Sequence, residues 1–329
     1  IYMEQSAVRD GVTAEEVKGI LLGMASGQET LLGYFRRFIR NFEKRVGINR
    51  TVGSLRAYSN AYSHIERFLQ AQYKLSDIPF SALDRSFIDK YDLYLRTERN
   101  LAPGTIINLT VQLKTIVGEA IADGIITASP FMGYEPVRPK HVQKYLTAEE
   151  LHRIMTTPLH RQPLYHVRDM FLFSCFTGIP YGDMRLLTKD NLCLAEDGIW
   201  WIKSARQKTK IEFEIPLLDL PLQILKKYSG TAPGDKLLPM YCNSTLNLYL
   251  KEIARICHID RPLVFHAGRH TYATEITLSH GVPLETVSRM LGHSQIETTQ
   301  IYAKVTDEKI DADTKALNRK ISERFSVVI

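Results

Sequence analysis

HAGRHTYA, residues 266 to 273, sets two histidines four apart with an arginine between them. On a helix that spacing stacks His266 and His270 on one face, as a pair of zinc ligands would stand. A metallohydrolase helix also needs a general-base glutamate directly after its first histidine, and position 267 is alanine. No third ligand stands at a matching spacing, so no metal is expected here. An anion site fits better. His266 and Arg269 are three apart and face one spot, a guanidinium fork matches two phosphate oxygens, and an imidazole beside it can pass a proton.

Downstream lies MLGHSQIETTQIYAKV, residues 290–305, where His293 follows a glycine that permits close approach and Tyr302 comes nine residues later. A tyrosine hydroxyl can attack phosphorus to give a covalent ester when positive groups stabilise the equatorial oxygens. With sixteen tyrosines in the chain, Tyr302 alone says little, but in order with HAGRH and His293 it forms a constellation for phosphoryl transfer.

The rest of the chain is consistent with such a site. A length of 329 residues predicts two domains. No apolar run reaches the roughly eighteen residues of a membrane span, and the charged VRDGVTAEEVKG near the start is no secretory signal. The four cysteines Cys175, Cys193, Cys242 and Cys257 are scattered without a CxxC pair, which fits a reducing cytoplasm. The net charge of +6 permits a nucleic-acid partner without requiring one. The opening at Ile1 reads as mid-domain sequence, so an N-terminal part is expected to have been removed.

Thr13 and Glu16 stand in a capping-box relation ahead of VKGILLGM. Four helix candidates follow: LLGYFRRFIRNFEKRVGINR, VGSLRAYSNAYSHIERFLQAQY, SFIDKYDLYLRTE, and PGTIINLTVQLKTIVGEAIADG, which Pro103 opens and Gly124 closes. They predict a small all-α domain. The first carries Arg36, Arg37, Arg40, Lys44, Arg45 and Arg50 against Glu43 alone, which is either a DNA-binding face or an ordinary solvated one. SPFMGYEPVRPKHVQKY, residues 129–145, holds three prolines and reads as a basic, extended linker. Thr147 and Glu150 form a second capping box, the apolar helix RDMFLFSCFTG follows, and GIWWIKSARQKTKIEFEIPL alternates as a β-hairpin around a basic turn. The fold class expected is mainly α, with one small antiparallel sheet in the second half.

HAGRHTYAT followed by LGHSQIETTQIY resembles the active-site boxes of tyrosine recombinases, the phage integrase family, and TGIPYGDM after a basic linker resembles integrases of Bacteroides-type conjugative transposons. The resemblance implies a residual arm-binding region over 1–27, a helical SAM-like core-DNA-binding domain over 28–130, a linker over 131–145 and a catalytic domain with a C-terminal tail over 146–329. It implies Tyr302 as nucleophile of a 3′-phosphotyrosyl intermediate, Arg269 as phosphate clamp, His266 as proton acceptor and His293 as a phosphate hydrogen-bonding partner. Lys208 in the turn ARQKTK would protonate the leaving 5′-oxygen, with Lys210 and Lys203 as competitors because hairpin register is open.

One box departs from the pattern: TGxR reads TGIP, with Pro180. Arg168 is the preferred substitute and Arg185 the second. Arg168 is about 18 Å from position 180 along a continuous helix, so it would have to enter from another direction. Asp183 is expected to orient a neighbour. Arg206 and Lys210 join the DNA-contacting set. The partners implied are double-stranded DNA attachment sites and a synaptic tetramer, with a DNA-bending host factor and an excision factor, in the cytoplasm on nucleoid DNA and without a metal or other cofactor. The apolar end FSVVI would dock on a neighbouring protomer or on its own domain. A nicking-resealing enzyme of type IB topoisomerase kind and an inactive DNA-binding protein are the alternatives.

Overall fold

A computed structural model of the chain describes residues 17–19, 21, 27–138, 144–302 and 307–322. The box at Thr13 and Glu16, linker residues 139–143 and the FSVVI end lie outside the described residues. The chain splits into two compact units, residues 1–141 and 142–329.

The N-terminal unit packs α1 (Leu31–Glu43), α2 (Val52–Phe68), α3 (Arg85–Thr97) and α4 (Pro103–Ala122). Local chemistry sets their ends. The Thr51 and Asp84 side chains accept from the Ser54 and Phe87 amides, Pro103 sits in the first turn of α4, where it forfeits no hydrogen bond, and Gly124 beyond its end takes φ +71°. Phe35, Ile65, Phe68, Tyr91, Leu113 and Ile116 are fully enclosed, and burying an aromatic or branched aliphatic side chain stabilises by about 1.5–3 kcal/mol. Helix α1 ends at Glu43, short of the basic run's end at Arg50. The reason is Gly47 at φ +86°, which turns the chain so that Val46 bridges Arg50. Arg45 and Arg50 therefore stand on a turn, not on the helix. Helix α2 runs on through one π turn, Leu69–Tyr73.

The C-terminal unit begins with α5 (Ala148–Thr156), where the Thr147–Glu150 capping box is present in both directions. Helix α6 (Gln162–Thr177) forms the centre of the unit, with Val167, Met170, Phe171, Phe173 and Cys175 all enclosed. It opens six residues earlier than the apolar run, with Pro163 in its first turn, so Arg168 lies inside the helix rather than at its start. After α7 (Tyr181–Met184), a three-stranded antiparallel sheet orders β1 (Leu192–Leu194), β2 (Trp200–Ala205) and β3 (Glu212–Pro216) in sequence. The expected hairpin is β2–β3, in register Ser204 with Phe213 and Ala205 with Glu212.

Helices α8 (Asp219–Lys227), α9 (Asn243–Ile256), α10 (Ala267–Thr271), α11 (Leu284–Leu291), α12 (Glu297–Gln300) and α13 (Asp307–Ser322) complete the unit. Helix α10 lies tightly on α6: a Cβ at Gly268 would stand 2.8 Å from Ser174 Oγ and 3.3 Å from the Cys175 amide nitrogen. That approach seats Arg269 in the core. Among the described residues no helix is long and apolar enough to cross a membrane.

Candidate active site

A cleft of about 890 Å³ opens in the C-terminal unit, and Arg206, Lys208, His266, Arg269, His293 and Tyr302 all line it. Three elements meet there: α10 with its leading histidine, the turn of the β2–β3 hairpin, and the segment from α11 through α12.

Arg269 is 3% exposed. Its Nη1 donates to the Gly178 carbonyl at 3.0 Å and its Nη2 to the Leu291 carbonyl at 2.7 Å. Both acceptors precede or occupy left-handed turns that need glycine: Gly178 has φ +69°, with a Cβ only 2.5 Å from the Tyr272 ring, and Gly292 has φ +64°. Burial first, and the charge of Arg206 second, lower the Arg269 pKa to about 10, so it stays cationic at neutral pH. Among the described residues it makes no ion pair. Two carbonyls hold its guanidinium, while Tyr302 and Asp183 act favourably on its charge.

The second guanidinium comes from the hairpin. Arg206 Nη1 donates to the same Leu291 carbonyl at 3.1 Å, and its Nε lies 2.7 Å from Asp183 Oδ2. That contact is an ion pair rather than an aligned hydrogen bond. The other oxygen of Asp183, which is 5% exposed, accepts from the Gln207 amide at 2.9 Å. One buried carboxylate thus fixes both the arginine and the backbone of the hairpin turn. Gly292 makes room for the arginine stem, since a Cβ there would stand 2.9 Å from Arg206 Cγ.

His293 is held from both ring nitrogens, by Arg269 Nη2 at 2.7 Å from Nε2 and by Thr299 Oγ1 at 2.7 Å from Nδ1. A guanidinium only donates, so Nε2 carries the lone pair and Nδ1–H donates to the buried Thr299. Burial, then Arg269 and Arg206, push the His293 pKa down to about 4. His266, just ahead of α10, is also lowered, by burial and then by the charges of Arg269, Arg206 and Lys144. Tyr302 is 7% exposed and packs its ring on His270 at 5.1 Å and parallel to His293 at 6.3 Å. Burial raises its pKa, while Arg269 and Arg206 act in the opposite direction.

Of the three hairpin lysines, Lys208 lines the cleft. Lys203 pairs with Glu214 at 3.3 Å across the strands, and Lys210 holds the turn's left-handed position at φ 60°. Arg168 is not brought to the cleft. It donates to the Met155 and Thr157 carbonyls at 3.3 and 3.4 Å and lies over the Tyr165 ring. Arg185 caps the C-terminal end of α7, exposed, and does not line the cleft. In the N-terminal unit Arg36, Arg37, Arg40, Lys44 and Arg45 are all exposed; Arg36 bonds the Tyr62 hydroxyl and Arg37 pairs with Glu29. The sequence counted Arg206 among DNA contacts and gave no part to Thr299 or Lys144. Any pointer to Arg206 lay outside its own turn, in the aspartate of TGIPYGDM, which needs a cation once it is buried.

Known proteins resemble this chain over most of its length. Residues 144–309 match the phage integrase family, and residues 30–136 match the phage integrase SAM-like domain. The tyrosine recombinase XerD of Listeria monocytogenes serovar 1/2a is 26% identical over 273 residues, covering 78% of this chain and 89% of that protein. XerD of Chlorobaculum tepidum is 28% identical over 190 residues, 52% of this chain and 60% of that one. The fold is that of the Tn1549 transposon integrase in complex with transposon right end DNA (TM-score 0.68, 19% identity, 88% of this chain and 99% of that one). It is also that of a lambda integrase dimer bound to a COC′ core site (TM-score 0.68, 18% identity, 85% and 100%).

Proposed function

The chain belongs to the phage integrase family of DNA strand-exchange enzymes, and from that premise we propose that it recombines DNA at specific sites through a covalent ester on Tyr302. The hydroxyl of Tyr302 attacks the scissile phosphorus, the bond from phosphorus to the 5′-oxygen breaks, and a 3′-phosphotyrosyl link forms. His266 takes the tyrosine proton and Lys208 gives one to the leaving 5′-oxygen. A 5′-hydroxyl from another strand then attacks the ester, and the same groups act in reverse.

The observation that carries this reading is the pair of guanidiniums on one carbonyl. Arg269 and Arg206 both donate to Leu291 O, beside Tyr302 in the same cleft. Two like charges side by side repel, and an anion with two free oxygens would relieve that. Arg206 takes the place that Pro180 leaves without a cation. His293 holds a lone pair on the nitrogen facing Arg269, so a phosphate drawing that arginine would let Nε2 take up a proton and donate.

The partner is double-stranded DNA carrying attachment core sites. Residues 28–130 bind the core, 131–145 form a basic connection, and 146–329 carry the chemistry. Arg36, Arg37, Arg40, Lys44, Arg45 and Lys210 contribute phosphate contacts, so affinity falls steeply with salt. The enzyme works in a synaptic tetramer on nucleoid DNA in the cytoplasm, with a DNA-bending factor and an excision factor, and moves an element of the conjugative transposon kind in and out of the chromosome.

The test is a covalent trap. A nicked duplex carrying the core site releases a short 5′-ended fragment after cleavage, which prevents religation. The intact protein should leave a denaturant-stable DNA adduct that Tyr302→Phe abolishes. Tight core-site binding with no adduct from the intact protein would reject the reading.

A further inference from the structure

We infer that His270, which the reaction above leaves without a part, is a positioning residue that holds the ring of Tyr302 against the phosphate site. The inference rests on Tyr302 being the nucleophile. Three observations support it.

The first is contact. His270 packs edge-on against Tyr302, with ring centroids 5.1 Å apart and planes at 66°, and edge-on against His266 at 4.9 Å and 87°. It is the ring between the proton acceptor and the nucleophile. Edge-to-face packing at this separation is directional, so it fixes the plane of the tyrosine and not only its volume.

The second is rigidity. Tyr302 stands two residues beyond the four-residue α12, with its amide donating to the Thr299 carbonyl at 3.0 Å. His270 is anchored far better. Gly268 beds α10 onto Ser174, Arg269 is tied to two carbonyls, and the Thr271 hydroxyl accepts from the Leu146 amide at 2.9 Å. The helix cannot turn about its axis without breaking these contacts, so the imidazole presents a fixed wall.

The third is chemistry. Among the described residues neither ring nitrogen of His270 has a hydrogen-bond partner, so the side chain acts through its faces and edges. The groups around it are His266, Tyr302, Lys144 and Arg269. Burial first, then His266, Lys144 and Arg269, bring its pKa down to about 4. It is therefore neutral throughout the working range and adds no charge beside a tyrosine that must shed a proton.

The experiment measures single-turnover adduct formation on the nicked substrate at saturating DNA, and the core-site Kd, for His270→Ala and His270→Phe in the full chain. The alanine should slow the adduct step about tenfold to a hundredfold, the cost of a loosened reacting group, with an unchanged Kd. Phenylalanine keeps the ring edge and should restore the rate, with the pH profile between about 6 and 9 as in the parent. A phenylalanine variant as slow as the alanine one, with a displaced pH profile, would show that the ring nitrogens act and would overturn positioning. So would an alanine variant that reacts at the parental rate, or one that loses DNA binding in step with rate. Tyr302→Phe runs alongside: an adduct surviving that change sinks the nucleophile assignment itself, whatever His270 does.

Discussion

Replacing Arg206 with alanine tests it against Arg168 as the arginine that answers for Pro180. If the two guanidiniums bind the scissile phosphate as proposed, removing one preorganised donor from developing charge costs about 2.7–4 kcal/mol, or roughly 10²–10³ in rate. The change also strips Asp183 of its cation. The Asp183 side chain is 4% exposed and that of Arg206 15%, and breaking a buried pair from one side costs up to about 3–5 kcal/mol of stability. A fall in activity could therefore be mere unfolding. The combination Arg206→Ala with Asp183→Asn resolves this, because the amide still fits the site beside the Gln207 amide and leaves no buried charge. Stability should recover in the double variant while the rate does not. Arg168→Ala should behave in the opposite way, melting earlier because the Met155 and Thr157 carbonyls lose their donor, yet forming adduct at the parental rate per folded molecule. The assay is single-turnover adduct formation, normalised to the folded fraction from thermal melts. Adduct formation by Arg206→Ala within a few-fold of the parent, or its loss in Arg168→Ala, would refute the assignment.

The hairpin lysine has its own signature. Lys208→Ala should lose about 10²–10⁴ in adduct rate on an ordinary phosphodiester, and the loss should vanish on a substrate whose leaving 5′-oxygen is replaced by sulfur, since a thiolate leaves without a proton; Lys203→Ala and Lys210→Ala should stay near the parent on both, and a sulfur rescue of either would move the role. Gly292→Ala forces a side chain into φ +64° and to 2.9 Å from Arg206 Cγ; about 1–2 kcal/mol of backbone strain and a slowed adduct step should follow, and unchanged melts and rates would contradict the close approach. Acid should destabilise the fold. His270 and His293, both near 4 in the folded chain against about 6.5 unfolded, leave the unfolded state binding more protons between those values, so stability is intact above about 6.5 and falls as pH drops toward 4. Thermal melts from pH 7 to 4.5 should show that fall, and His270→Phe should shrink it; a melting temperature flat across the window would count against burial of neutral imidazoles.

How much of this could be read from the chain depends on the distance over which each feature is decided. Helix α4 was legible because its start at Pro103 and its stop at Gly124 are local. Helix α1 stops short of its apolar rhythm because Gly47 interrupts what Val46 and Ile48 continue, and the three residues of strand β1 are too few to show alternation. The same division runs through the site. His266 with Arg269, and His293 with Tyr302, lie within single segments, so spacing alone brings them together. Arg206 belongs to a hairpin whose approach to α11 is set by Asp183, Gly292 and the Leu291 carbonyl, from segments well apart in the chain, and nothing in ARQKTK distinguishes a clamp from a surface contact.

That placement changes the meaning of Pro180. As a lost arginine it reads as decay of the active site. In the structure it is the N-cap of α7, extended at φ −77° and ψ 163°, and its carbonyl accepts from the Asp183 and Met184 amides. The short helix it starts carries Asp183 into the core, where the aspartate holds Arg206. A guanidinium on a long side chain can reach one phosphate oxygen from several directions, whereas the charge must be present and held still for the reaction to be stabilised. The proline and the hairpin arginine are then two parts of one arrangement. An arginine at 180 in the intact chain should consequently gain nothing: it replaces the residue that caps α7, and would loosen the hold of Asp183 on the hairpin and slow the adduct step. A faster adduct from Pro180→Arg would show that the site lacks a cation after all, and that Arg206 does not supply it.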